Sequence, residues 1–182
     1  MADTAVRTSV LSGKQGGSAA VRLTAAPNAT RVALRAPAES LKALSSALGV
    51  TVPNAPKTSG RKGGRSSLWL GPDEWLVIDE SGADLMSALA KAEALHSATD
   101  VSHRNVAIIV SGPGAENAIS AGCAQDLSLE AFPVGACSRT LFGKAEIVLF
   151  RTEDDTFRVE CWRSFADFVF GLLAEGAEDA AH

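Results

Sequence analysis

The chain has 182 residues, is 46% apolar and carries a formal net charge of −4, enough for one domain with a real core. No apolar stretch approaches the ~20 residues of a membrane span. Residues 1–20 lack the apolar segment of a secretory signal peptide, so a cytoplasmic protein that meets no membrane is expected.

The charge is unevenly spread. Residues 1–65 hold ten Lys/Arg and two Asp/Glu, whereas the rest of the chain holds seven and nineteen, about +8 against −12. Such a chain can offer either region to a charged partner. The densest cationic cluster, Arg61, Lys62 and Arg65 around Gly63 and Gly64, has no aromatic residue for base stacking. It reads as a flexible basic loop, and no nucleic-acid partner is expected. Cys123, Cys137 and Cys161 are odd in number and widely spaced, and His96, His103 and His182 are scattered. They make neither a disulfide framework nor a metal site, so idle thiols in a reducing compartment are expected.

In chain order, residues 1–18 are rich in Ala, Ser, Gly and Thr and read as a flexible N-terminus. Residues 21–23 and 31–35 alternate as strands, with Arg31 and Arg35 expected to point outward. Pro37 opens a helix that Gly49 closes, with Leu41, Leu44 and Leu48 on one face. Residues 50–65 read as a long connection. Residues 67–78 follow, S-L-W-L-G-P-D-E-W-L-V-I, the stretch around which the chain is organised. Two apolar arms, each with a Trp, flank a turn in which Pro72 and Asp73 suit the central positions. Each indole N–H needs a partner when buried.

Ser81 with Asp84 reads as the cap of a helix running through Leu85, Leu89 and Ala92 to His96. Residues 100–103 (D-V-S-H) lead into the buried strand 106–110. Ser111-Gly112-Pro113-Gly114 then turns into a short helix closed by Gly122. Asn117 stands where a GxGxxG loop needs its third glycine and Pro113 lacks an amide donor, so a structural turn is expected rather than a phosphate cradle. An irregular bridge precedes strands at 138–142, 145–151 and 157–161, the last two joined by a turn at Asp154 and Asp155. Ser164 caps a final helix with Phe165, Phe168, Val169, Leu172 and Leu173 on its face, stopped by Gly176. The reading is a flexible segment at 1–18, one domain at 19–176 and a frayed acidic tail at 177–182. Its class is α+β, a largely antiparallel sheet backed by helices.

The residues offer little catalytic chemistry. There is no GxSxG motif, and the carboxylate pairs Asp73/Glu74, Asp79/Glu80 and Asp154/Asp155 sit in turns or at strand ends. No catalytic residue and no metal ligand is assigned.

Read together, Leu48-Gly49 with Pro53, the L-W-L-G-P-D-E-W-L run at 68–76, D-V-S-H-R at 100–104, S-G-P-G-A at 111–115, Asp126-Leu127, F-P-V-G at 132–135 and E-C-W-R-S-F-A at 160–166 resemble the gamma subunit of heterotetrameric sarcosine oxidase. The D-V-S-H and S-G-P-G-A pieces also resemble the folate-binding first domain of aminomethyltransferase, the T-protein of the glycine cleavage system. That likeness implies a fold of the same kind. It places Ala145 and Glu146 where that family carries a pair of acids, one of which contacts folate. One acid is missing here and the preceding glycine pair is reduced to Gly143, so Glu146 is a remnant folate-acid candidate and the folate chemistry is expected to be absent.

The resemblance implies a complex that oxidises sarcosine to glycine with flavin and oxygen, makes hydrogen peroxide and passes the one-carbon unit to tetrahydrofolate. FAD, FMN, NAD and tetrahydrofolate would be held by other subunits and none by this chain. It would be an accessory, non-catalytic subunit bound to the alpha subunit, with beta and delta completing the heterotetramer. Arg61, Lys62 and Arg65 are the candidate partner contacts. The competing expectation is a stand-alone tetrahydrofolate-binding protein or one-carbon transferase that uses Glu146.

Overall fold

The computed structural model describes residues 9–181. In chain order its elements are β1 (Gln15–Gly17), β2 (Arg22–Ala25), β3 (Thr30–Arg35), α1 (Leu41–Leu48), β4 (Ser59–Lys62), β5 (Arg65–Gly71), β6 (Glu74–Asp79), α2 (Leu85–Ala90), β7 (Ser97–Asp100), β8 (Asn105–Ser111), α3 (Ala115–Ser120), β9 (Cys137–Phe142), β10 (Ala145–Glu153), β11 (Thr156–Trp162) and α4 (Ala166–Asp179). The strands form two sheets, in the orders β1-β2-β8-β11-β10-β9 and β4-β5-β6-β3-β7. Every strand pair is antiparallel.

Successive side chains on a strand face opposite ways, so each sheet has two faces to bury. On the five-stranded sheet, Val32, Leu34, Trp75 and Val77 pack against Leu41, Leu44 and Leu48 of α1 and Leu85 and Leu89 of α2. On the six-stranded sheet, Ile108, Val110, Leu149, Phe157 and Val159 pack against Ala118 and Ile119 of α3 and Val169 and Leu173 of α4. Each fully buried Leu or Val of these cores contributes about 1.5–3 kcal/mol of transfer free energy. The remaining faces meet each other through Leu68, Leu76, Ile78, Val148 and Phe150. The result is four layers: helices, sheet, sheet, helices.

The Trp hairpin is β5 and β6, joined by Pro72 and Asp73, with Trp69 directly opposite Trp75. Trp75 is fully buried, and its indole N–H donates to the Pro53 carbonyl at 2.7 Å. The expected indole partner therefore comes from the 50–65 connection. That connection also supplies β4, which pairs with β5 through a Gly63-Gly64 turn, so the basic segment is a hairpin rather than a free loop.

Several boundaries differ from expectation for identifiable reasons. Residues 9–18 are packed, with Leu11 fully buried and β1 paired to β2; residues 1–8 and 182 lie outside the described residues. The second helix is short. Asp84 is its N-cap, accepting the Ser87 amide at 2.9 Å, because Ser81 gives both its amide and its hydroxyl to Asp79 instead. The helix ends at Ala90, so His96 lies beyond it and Leu95 stands 76% exposed. Gly176 does not stop the last helix, which runs to Asp179. A side chain at Gly176 would sit 2.4 Å from the Ala118 carbonyl, so this glycine lets α4 press against α3. Arg31 points inward, since both faces of its sheet are covered. In the 111–114 turn, the Gly112 amide goes to the Asp155 carbonyl, the Gly114 amide to Ala20 and the Ala115 amide to Gly112, so these donors are spent on the fold.

Candidate functional site

A cleft of about 220 Å³ opens between the two sheets at one end. It is walled by Ala33, Trp75 and Leu76 from one sheet and Ile147, Val148 and Cys161 from the other, with Glu160 buried at its base and Glu74, Glu146, Arg104, Arg139 and Trp162 supplying its polar and aromatic rim. The volume falls below the ~300–1,000 Å³ of ordinary small-molecule sites.

Alternation along β11 builds the floor. Arg158 and Glu160 leave the strand on the side away from the helices, into the inter-sheet layer. Glu160 is fully buried and accepts from Arg31 Nε of β3 at 2.7 Å through Oε2 and from Arg158 Nε at 2.8 Å through Oε1. Arg158 Nη1 also donates to Glu80 Oε1, just beyond β6, at 2.8 Å. Arg31 and Arg158 are 3% and 4% exposed. Two guanidiniums and two carboxylates thus cross from one sheet to the other as an ionic clasp. The D-V-S-H segment supports it: the Ser102 hydroxyl accepts the Arg31 amide at 2.8 Å, and the Ser102 amide donates to Asp100 Oδ1 at 2.7 Å.

At the rim, Arg139 pairs with Glu74. Glu146 is exposed at the start of β10 and, among the described residues, its carboxylate has no hydrogen-bond or ion-pair partner. Burial first, then the Glu160 charge, pushes the Cys161 thiol up to about 12, and burial does the same to Cys137, so neither is a ready thiolate. Among the described residues lining the cleft, no nucleophile is paired with a base. The arrangement can hold charge and position backbone.

The three loop cations have different fates. Arg65 is committed to the fold, with Nε on Asp79 at 2.7 Å and Nη1 on the Leu48 carbonyl. Burial raises the Asp79 carboxyl, but the Ser81 hydroxyl, the Ala83 amide and Arg65 together outweigh it and hold Asp79 down to about 2. Arg61 reaches the Thr152 carbonyl at 3.0 Å and lies over the Phe150 ring. Lys62 is exposed on the same hairpin. None of them touches the cleft, nor does any of them lie near Glu146 in the lining of one pocket. Sequence reasoning missed the clasp, because Arg31 and Glu160 lie 129 positions apart and only the pairing of strands brings them together.

Two antiparallel sheets with helices outside them form a fold that is also found in a solved aminomethyltransferase. Glycine cleavage system aminomethyltransferase T from Bartonella henselae superposes with a TM-score of 0.65 at 14% identity, covering 85% of this chain and 45% of that one. A chain of heterotetrameric sarcosine oxidase from Corynebacterium sp. U-96, solved in complex with pyrrole 2-carboxylate, superposes with a TM-score of 0.83 at 27% identity over 89% of this chain and 86% of that one. Sarcosine oxidase subunit gamma of Corynebacterium sp. strain P-1 is 30% identical over 173 residues, covering 92% of this chain and 85% of the relative. Residues 33–179 match the model of the sarcosine oxidase, gamma subunit family, and the chain belongs to that family.

Proposed function

We propose that this chain is the accessory subunit of a heterotetrameric sarcosine oxidase, contributing assembly rather than catalysis to the oxidation of sarcosine to glycine and hydrogen peroxide. The observation that carries the reading is its likeness to a chain of that complex across nearly the whole length of both. The small cleft and the internal pairing of Glu160 and Glu74 support a non-catalytic role. FAD, FMN, NAD and tetrahydrofolate belong to the other subunits in this reading, and the alpha subunit is the main partner, with beta and delta completing the assembly. Of the hairpin cations, the exposed Lys62 and Arg61 are the partner contacts in this reading, while Arg65 pairs with Asp79 and the Leu48 carbonyl. Purification from the source cell in mild salt tests the reading. A flavin-yellow complex of four subunits that makes peroxide from sarcosine is the expected result; a colourless chain purified alone overturns it.

One observation favours a second reading, a tetrahydrofolate-binding protein: the unpaired Glu146 carboxylate on the rim of a cleft in a fold shared with aminomethyltransferase. It requires that the isolated chain bind tetrahydrofolate in a titration and that Glu146→Ala abolish the binding.

A further inference from the structure

The arginines of this chain are mostly spent internally. Arg31, Arg35, Arg65, Arg139, Arg151 and Arg158 all sit in ion pairs. Arg104 and Arg163, like Arg22 and Arg61, do not: among the described residues neither guanidinium has a carboxylate partner. The two lie side by side, with the Arg163 amide donating to the Arg104 carbonyl at 2.7 Å. Arg104 stacks over the Trp162 ring with its guanidinium carbon 4.0 Å from the ring centre. Trp162 is 39% exposed at the end of β11, belongs to none of the three apolar clusters and has Phe165 beside it at 6.3 Å between ring centres. Around it lies an open depression of about 540 Å³ walled by Val10, His103, Arg104, Trp162, Arg163 and Ser164. Arg104 and Trp162 also form part of the rim of the inter-sheet cleft, so the patch runs into the mouth of the site described above.

Apart from Val10, these residues come from two of the segments that carry the family resemblance, residues 100–104 and 160–166. Their buried members have structural work: Ser102 braces Arg31, Glu160 closes the ionic clasp, Cys161 and Ala166 fill the helix-side core. The side chains of the outward members Arg104, Trp162 and Arg163 join neither an ion pair nor an apolar core among the described residues. Trp and Arg are, with Tyr, the residue types enriched among the hot spots of protein interfaces. The uncompensated charge selects the occupant. On a chain with net charge −4, two guanidiniums without carboxylate partners lining one depression match carboxylates, and a two-fold contact centred on this patch would set the same cations against each other.

We propose that Trp162, Arg104 and Arg163 form a docking surface for an acidic segment of a partner subunit, its carboxylates on the two guanidiniums and an apolar side chain on the Trp162 ring. The inference rests on the accessory-subunit reading. The test is co-expression of this chain with the other three subunits of its complex, one of which carries the affinity tag. Wild type is recovered with the tagged subunit. Trp162→Ala and the double variant Arg104→Glu/Arg163→Glu each lower recovery about tenfold or more at physiological salt, while the isolated variants melt within about 3 °C of wild type. Arg104→Lys/Arg163→Lys keeps recovery near wild type and, treated with a carbodiimide, cross-links at those two positions to an Asp or Glu of a partner subunit. Failure of wild type to co-purify removes the accessory reading and the surface with it. Recovery of wild type together with undiminished recovery of the Trp162→Ala and charge-reversed variants removes the surface alone. Cross-links only between two copies of this chain overturn the partner in favour of self-association.

Discussion

On β11, Phe157, Val159 and Cys161 enter an apolar core against α3 and α4, while Arg158 and Glu160, one residue out of step with them, enter the layer between the sheets. The two sides of a single strand are thus held by different physics. The helix-side cores depend on volume and bury apolar surface that many combinations of aliphatic residues could supply. The inter-sheet layer depends on matched charge: a buried carboxylate there has two guanidinium donors, and each guanidinium depends on a carboxylate in return. Buried ion pairs add little net stability, because desolvation offsets their attraction, but removing one member is costly. The outer cores are therefore expected to supply most of the stability, and the clasp to favour one alignment of the sheets.

The sharpest break is Glu160→Ala. It leaves Arg31 and Arg158 buried without their shared partner and is expected to cost about 3–5 kcal/mol in a denaturant titration. The contrasting change replaces Arg31, Arg158 and Glu160 together with apolar residues of similar volume; stability then stays near wild type or rises. A triple variant as damaged as Glu160→Ala would show that the layer needs charge for stability itself. Leu173→Ala on the helix side is expected to cost about 2–5 kcal/mol, scaled by the cavity it leaves, with no rescue from charge changes elsewhere.

The pH dependence is smaller. Asp79 is held down to about 2 in the fold and returns to about 3.9 when unfolded. A depressed carboxylate stabilises the fold above its unfolded value and loses that contribution as pH falls through its folded one. Wild type should therefore lose on the order of 2 kcal/mol between about pH 4 and pH 2 from this group, and Asp79→Asn should flatten that part of the melting profile. The least effect is expected at the surface pair Arg35–Asp73, whose side chains are more than half exposed. Asp73→Asn should change stability by less than about 1 kcal/mol and lose even that in high salt.

The same contrast explains how much could be read from the sequence. Strands with a core-facing side were legible: 31–35, 106–110, 145–151 and 157–161 all fall within observed strands. The three strands without an expectation, β1, β4 and β7, all lie at sheet edges. Q-G-G, S-G-R-K and S-A-T-D show no apolar alternation, because backbone hydrogen bonds to one neighbour hold them rather than burial. Arg31 was misread for the complementary reason. Alternation marks two faces of a strand, but it marks solvent only when one face is uncovered. The site was harder still. The excess of cations in residues 1–65 suggested a surface for a partner, yet Lys14, Arg31, Arg35 and Arg65 each pair with an acid that follows residue 66 in the chain. Much of the lengthwise dipole is neutralised by folding, and that pairing is invisible until the strands are ordered.

The buried thiols give the molecule internal clocks. Cys137 donates to the Thr58 carbonyl at 3.1 Å where β9 meets the other sheet, and Cys161 faces the helix-side core. A thiol-specific reagent reaches either sulfur only after its own layer opens. Labelling of Cys137 times the parting of the two sheets, and labelling of Cys161 times the lifting of α4. If the sheets part before the helices lift, the order in which the two sulfurs are modified records it within one sample.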